Sequence, residues 1–242
     1  MSNQRVAWLT ADDSPEAFPP VDNALRDPNG LLAVGGDLGP ARLLAAYRRG
    51  IFPWYEDGQP LLWWSPDPRC VFRQGDLHIS RRLRRELRRS RAEVRINTAF
   101  AEVVRACAAP RRREQGTWIT NEMIVAFEGL HRSGWAHSIE IWQDDLLIGG
   151  LYGLVIGRAV FGESMFSRHP NASKIALLFL DQRLADGTFG LIDCQVPSAH
   201  LLSMGATAMP RLQFVETLSA LCDPADAFAK WPADPISAHE LV

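Results

Sequence analysis

Apolar positions along this chain change their period at a few points, and those points outline its elements. Residues 137–142, 146–156 and 158–166 are apolar, strand-like runs broken by Gln143-Asp144-Asp145 and by Gly157. That pattern predicts a meander of antiparallel hairpins. Beyond it the period lengthens to that of a helix, with Asn171 at the N-cap, Ile175, Leu178 and Leu184 among its apolar positions and Gly187 at its end. A strand-like run returns at 191–196, and strand, helix, strand predicts a parallel crossover. Earlier, Pro40 and Gly50 bracket a short helix that turns Leu43, Leu44 and Tyr47 inward. Ser80 caps an arginine-rich segment, residues 99–109 read as a helix, and 111–115 form a polar loop. Thr120 caps a helix that ends at Gly134, and two more follow at 198–204 and 211–221.

Mixed strands with helices before, within and after them predict an α+β fold. Residues 18–69, rich in proline, glycine and tryptophan, mark off a small N-terminal α/β domain at 1–69 from a catalytic domain with a mixed sheet at 70–242. At 47% hydrophobic residues the 242-residue chain can bury a proper core. No apolar run approaches the roughly 20 residues of a membrane helix, and the first residues lack a signal-peptide pattern, so a cytoplasmic protein is expected. The four cysteines are scattered and no histidine pairs at metal-ligand spacing. Neither disulfides, a metal nor a cofactor is expected. Gly149, Gly150, Gly153 and Gly157 lie within and after a strand, which excludes a nucleotide-binding fingerprint.

Charge changes the picture more than composition does. The net charge of −2 conceals a basic window at 69–113, with 14 arginines against four acids. Its centre is the segment after Ser80, where Arg81, Arg82, Arg84, Arg85, Arg88 and Arg89 surround only Leu83 and Leu87. Such a run is often just a solvated face. Cations in a first helical turn are disfavoured by the helix dipole, however, and only Glu86 offers an ion pair. Contact with an external polyanion such as nucleic acid therefore stands level with the solvated face.

Candidate chemistry gathers on the crossover. Glu163 lies on its first strand, and Asp193 and Gln195 lie two apart on its second, on one face if extended. On the residues alone, structural roles account for them better: backbone donors for Asp193, an arginine for Glu163, a strand end for Gln195. Trp54, after Pro53, and Trp118, before the Thr120 cap, are the aromatics placed to line a cleft, whereas Trp63 and Trp64 fall in an apolar run.

From Phe18 to Pro210 the chain closely resembles the bacterial leucyl/phenylalanyl-tRNA protein transferases. The resemblance is carried in order by GLLAVGGDL (30–38), RLLAAYRRGIFPWY (42–55), WWSPDPR (63–69), LHISR (77–81), GTWIT (116–120), HSIE (137–140), GESMFSR (162–168), NASK (171–174) and LIDCQ (191–195). It implies a catalytic domain similar to the GNAT acyltransferases. It also implies transfer of Leu, Phe or, less well, Met from aminoacyl-tRNA to the α-amine of proteins beginning with Arg or Lys, which marks them for degradation by the N-end rule pathway. The absence of a Q-x-x-G-x-G/A pyrophosphate loop fits an RNA ester as acyl donor.

By that resemblance Asp193 and Gln195 match the catalytic pair, Asp193 polarising and Gln195 positioning. Glu163 matches the residue that holds the donor's amino group, and Trp54 and Trp118 match the pair that stacks the terminal adenine. Met165, Leu151 and Ile192 are candidates for the donor side-chain pocket, where a flexible Met suits several apolar side chains. The arginines at 81–89 would grip the tRNA body. Val160 and Leu184 stand where a family member has phenylalanines, which leaves the donor preference open. A monomer is the default. Three rivals are an acetyl-coenzyme A enzyme, a non-catalytic tRNA-binding module and a peptidoglycan-type aminoacyl ligase.

Overall fold

The protein, seen as a computed structural model, is described over residues 6–109, 118–222 and 231–242. The polar loop expected at 111–115 lies outside those residues, as does part of the basic window. Two sheets organise the chain. In the first, β1 (Ala7–Leu9), β2 (Leu31–Gly35), β3 (Phe52–Pro53) and β4 (Leu62–Trp64) lie in the order β1-β2-β4-β3, with α1 (Pro40–Arg48) between β2 and β3. Pro40 occupies the first turn of α1, where its missing N–H costs nothing.

The larger sheet opens with β5 (Arg69–Phe72). Then come α2 (Arg81–Leu87), β6 (Glu93–Ile96), α3 (Phe100–Ala108) and α4 (Asn121–Arg132). The meander follows as β7 (Ala136–Gln143), β8 (Leu146–Ile156) and β9 (Ala159–Ser167), paired antiparallel. Asp144 and Asp145, both with positive φ, make the β7–β8 turn. The crossover is also present: α5 (Ala172–Ala185) returns the chain to β10 (Leu191–Asp193), parallel to β9. After it come α6 (Ala199–Ser203), β11 (Thr207–Met209), α7 (Arg211–Leu221) and β12 (Ile236–Ser237), giving the sheet order β11-β5-β10-β9-β8-β7-β6-β12.

Side chains that alternate along β8 explain its unbroken apolar run. Tyr152 and Leu154 join a core with Tyr47, Trp63, Val103 and Phe127, which runs from the small sheet to α3 and α4. Leu151 and Val155 point the other way, into a core with Leu83, Leu87, Leu178 and Leu184 under α2 and α5. Of the paired tryptophans, Trp63 is fully buried and Trp64 half-buried.

Three expectations need correcting. The Ser80-capped helix ends at Leu87, so Arg88 and Arg89 fall at its end rather than within it. Asn171 occupies the N-cap of α5 but does not cap it, because its backbone is left-handed (φ 68°). Its amide donates to Glu86 instead, and Ser167 Oγ accepts the free N–H of Ser173. The strand expected at 191–196 stops at Asp193.

Candidate active site

Register between the parallel strands decides what meets. Asp193 pairs with Phe161, so two residues further on Glu163, in the middle of β9, and Gln195, just past the end of β10, are neighbours. There Gln195 Nε2 donates to Glu163 Oε1 at 2.7 Å. Glu163 is also a bulge residue: Tyr152 pairs with Ser164 and Gly153 with Gly162, leaving Glu163 without a partner on β8. A bulge re-aims the side chain it carries. Only glycine fits at 153, since a Cβ there would lie 2.0 Å from Phe161 O.

Gln195 is not extended. Its φ is 61°, and its N–H donates back to Asp193 Oδ1 at 2.8 Å. The shared face expected from a two-residue spacing is therefore lost, because a left-handed residue turns the chain. Asp193 points into the protein, 1% exposed, where Arg69 grips both its oxygens: Nε to Oδ1 at 2.8 Å and Nη2 to Oδ2 at 2.7 Å. On the other side of Gln195, Tyr47 Oη donates to Glu163 Oε1 at 2.7 Å. A continuous chain of contacts thus runs Arg69, Asp193, Gln195, Glu163, Tyr47.

Glu163 is 6% exposed, and its Oε2 is buried with no hydrogen-bond partner among the described residues. Burial pushes its carboxyl up to about 8, with the Asp193 charge adding to the rise and the Tyr47 and Gln195 donors opposing it. Burial, and then the Glu163 charge, also raises the Tyr47 phenol well above its usual range. A cavity of about 260 Å³ opens over this chain. Its polar wall is Glu163 and Gln195; Leu151, Met165, Ile192 and Leu177 form an apolar floor. Trp54, 39% exposed, and Trp118 stand at the same opening.

Seven of the eight residues expected at the reaction centre therefore line one cavity; Asp193 lies behind it. Val160 and Leu184 do not line it and are buried in the core beneath α5. Five participants are not among the expected site residues, Leu177 of the floor being one. The helical pattern accounts for Tyr47 as a core residue only, although a tyrosine at a core position needs a partner for its hydroxyl. Arg69 gave no local signal. Phe52 and His200 also line the cavity, and partial burial followed by the Lys174 charge lowers the His200 imidazole. The six arginines of the basic segment are all exposed, and only Arg82, with Glu86, has an ion-pair partner among the described residues. Leu83 and Leu87 anchor α2 in the core, so these arginines face outward.

The family model described as "Leucyl/phenylalanyl-tRNA protein transferase" matches residues 71–219, and that of the N-terminal domain of the same transferases matches 36–67. The chain belongs to the leucyl/phenylalanyl-tRNA protein transferase family. Relatives of that name bear this out. The Stutzerimonas stutzeri protein is 54% identical over 228 residues, 94% of this chain and all of the relative. That of Aromatoleum aromaticum is 56% identical over 229 residues, 95% of each. That of Pseudomonas aeruginosa is 55% identical over 218 residues, 90% of this chain and 96% of the relative. Among solved structures, a GCN5-related N-acetyltransferase from Kribbella flavida is 10% identical at a TM-score of 0.36, covering 71% of this chain and 61% of its own. L-PGS from Bacillus licheniformis is 8% identical at 0.38, covering 69% and 53%. Membership of the transferase family spans both sheets, and the cavity lies where its two matched segments meet.

Proposed function

We propose that this chain transfers Leu, Phe and, less well, Met from aminoacyl-tRNA to the α-amine of proteins that begin with Arg or Lys, marking them for N-end rule degradation. The observation that carries this reading is the cavity itself. It sets an apolar floor of side-chain size beneath a buried carboxyl group and amide, with two tryptophans in its lining.

The reaction is aminolysis of an ester. A neutral amine attacks the aminoacyl carbonyl, a tetrahedral oxyanion forms, and the 3′ oxygen of the terminal adenosine leaves with a proton. Leu151, Met165 and Ile192 take the donor side chain. Glu163 Oε2, the unpartnered oxygen, holds the donor's amino group. Gln195 orients the reacting groups by hydrogen bonding, since an amide is no base. Asp193 acts through Gln195, because Arg69 already occupies both of its oxygens. Trp54 and Trp118 stack the terminal adenine, and the exposed arginines from Arg81 to Arg89 hold the tRNA backbone without reading sequence.

We further assign residues 1–69 to a small N-terminal domain and 70–242 to the catalytic domain; the two separate sheets and the matched segments ending at 67 and starting at 71 support this division. The protein acts as a cytoplasmic monomer in this reading. No helix among the described residues is long and apolar enough to cross a membrane.

The test is transfer of labelled leucine from Leu-tRNA to peptides starting with Arg, Lys or Ala, with acetyl-coenzyme A as a parallel donor. Label on the Arg and Lys peptides alone is expected. Acetylation, or tRNA binding without transfer, would overturn the reading.

A further inference from the structure

Arg69 is a buried cation outside the cavity with an unusually complete set of contacts. It is 1% exposed, forks onto both oxygens of Asp193, and donates from Nη1 to Gly50 O at 3.1 Å. Its guanidinium lies between two rings, 4.6 Å from the Phe52 centroid and 4.7 Å from that of Phe214. It thereby joins β5 to the loop after α1, to β3, to the end of β10 and to α7. Arginine is suited to such a place because its planar fork matches a carboxylate and its faces stack on aromatic rings.

We propose that Arg69 is a positioning residue of the transfer reaction, acting on Gln195 through Asp193. Asp193 Oδ1 accepts from both Arg69 Nε and the Gln195 N–H. Fixing that oxygen fixes the left-handed turn at Gln195, and the turn aims the Gln195 amide at Glu163 and the cavity. The pair has a second consequence. An uncompensated carboxylate behind Gln195 would favour the protonated, unreactive form of the attacking amine, whereas the ion pair carries no net charge. The ionisable groups near Asp193 are Arg69 and Cys70 from β5, Glu163 from β9, Tyr47 from α1 and the adjoining Cys194. Among them only Arg69 is a cation.

This inference rests on the transferase reading, and its test separates the two. Steady-state transfer of leucine from Leu-tRNA to an Arg-initiated peptide is measured against pH for wild type, Arg69→Lys, Asp193→Asn and the double variant Arg69→Met with Asp193→Leu. Arg69→Lys keeps the charge without the fork, and the double variant replaces the pair by apolar groups, which buried pairs often tolerate for folding. In both, kcat should fall, by about tenfold for the first and about a hundredfold for the second, with KM for Leu-tRNA within about threefold of wild type. Asp193→Asn leaves the permanent Arg69 charge uncompensated, so the acidic limb of its kcat profile at saturating peptide, which reports the bound amine, should move to lower pH. A purely structural role would not move that limb. Either variant of Arg69 keeping kcat within about threefold of wild type, or an acidic limb unmoved or displaced upward in Asp193→Asn, overturns the inference while leaving the transferase reading intact. A wild-type protein that transfers nothing overturns both.

Discussion

The cavity has two walls built on opposite principles. Its floor, Leu151, Met165, Leu177 and Ile192, is apolar and owes its shape to packing between β8, β9, β10 and α5. Its polar wall is the exposed edge of a buried chain in which Arg69, Asp193, Gln195, Glu163 and Tyr47 each bond the next. An apolar floor tolerates changes of shape at about 1 kcal/mol or a little more. A buried polar chain does not, because removing one member strands the others without partners. The floor should therefore set which donor is used, and the polar wall how fast it reacts.

The largest effect expected from this contrast is at Gln195. Gln195→Ala removes the group that reaches Glu163 and should lower kcat by about 10²–10³-fold for every donor alike, in single-turnover measurements. Next comes Glu163, whose contribution to stability depends on pH. Its carboxyl titrates near 8 in the fold against an ordinary 4.5, so the folded protein retains a proton that the unfolded chain has lost. That contribution is complete below pH 4.5 and is lost as pH rises to 8. Glu163→Gln cannot ionise and should gain on wild type in thermal melts from pH 5 to 8, by about 5–10 °C, then level off. A difference in Tm that ignores pH would contradict the buried, raised carboxyl.

On the floor, Met165→Ala should enlarge the pocket and raise use of Phe over Leu by about tenfold, with little change in total rate. An unchanged ratio would remove Met165 from the pocket. Smallest per residue are the surface cations. Arg84→Ala or Arg88→Ala should each weaken tRNA binding for all donors and reduce the slope of log K against log salt by about 0.7–0.9. A slope that stays put would return these arginines to a solvated face.

The legibility of the chain follows the same division. The meander and the crossover were readable because their apolar periods extend over many residues and end at turn formers such as Asp144-Asp145 and Gly187. The short strands β5, β6 and β11 were not, since three or four residues carry no period and form only by pairing. Seven cavity residues are nameable from the sequence, Glu163, Gln195, Trp54 and Trp118 already from the pattern before the resemblance assigns their roles, but their arrangement is not. The bulge at Glu163 exists only in the register of β9 against β8, and the left-handed turn at Gln195 depends on an aspartate held by an arginine 124 positions away. Tyr47 shows how far a local reading reaches: the helical pattern places it in the core correctly and is silent about the carboxylate 116 residues on that receives its hydroxyl.

The most direct test of the division between rate and choice is a competition between Leu-tRNA and Phe-tRNA for one Arg-initiated peptide, run with wild type, Gln195→Ala and Met165→Ala. The account predicts that Gln195→Ala slows both products equally and keeps their ratio, while Met165→Ala shifts the ratio at nearly full rate. A Gln195→Ala protein that keeps its rate and changes its donor, or a Met165→Ala protein that loses rate for both donors equally, would contradict it.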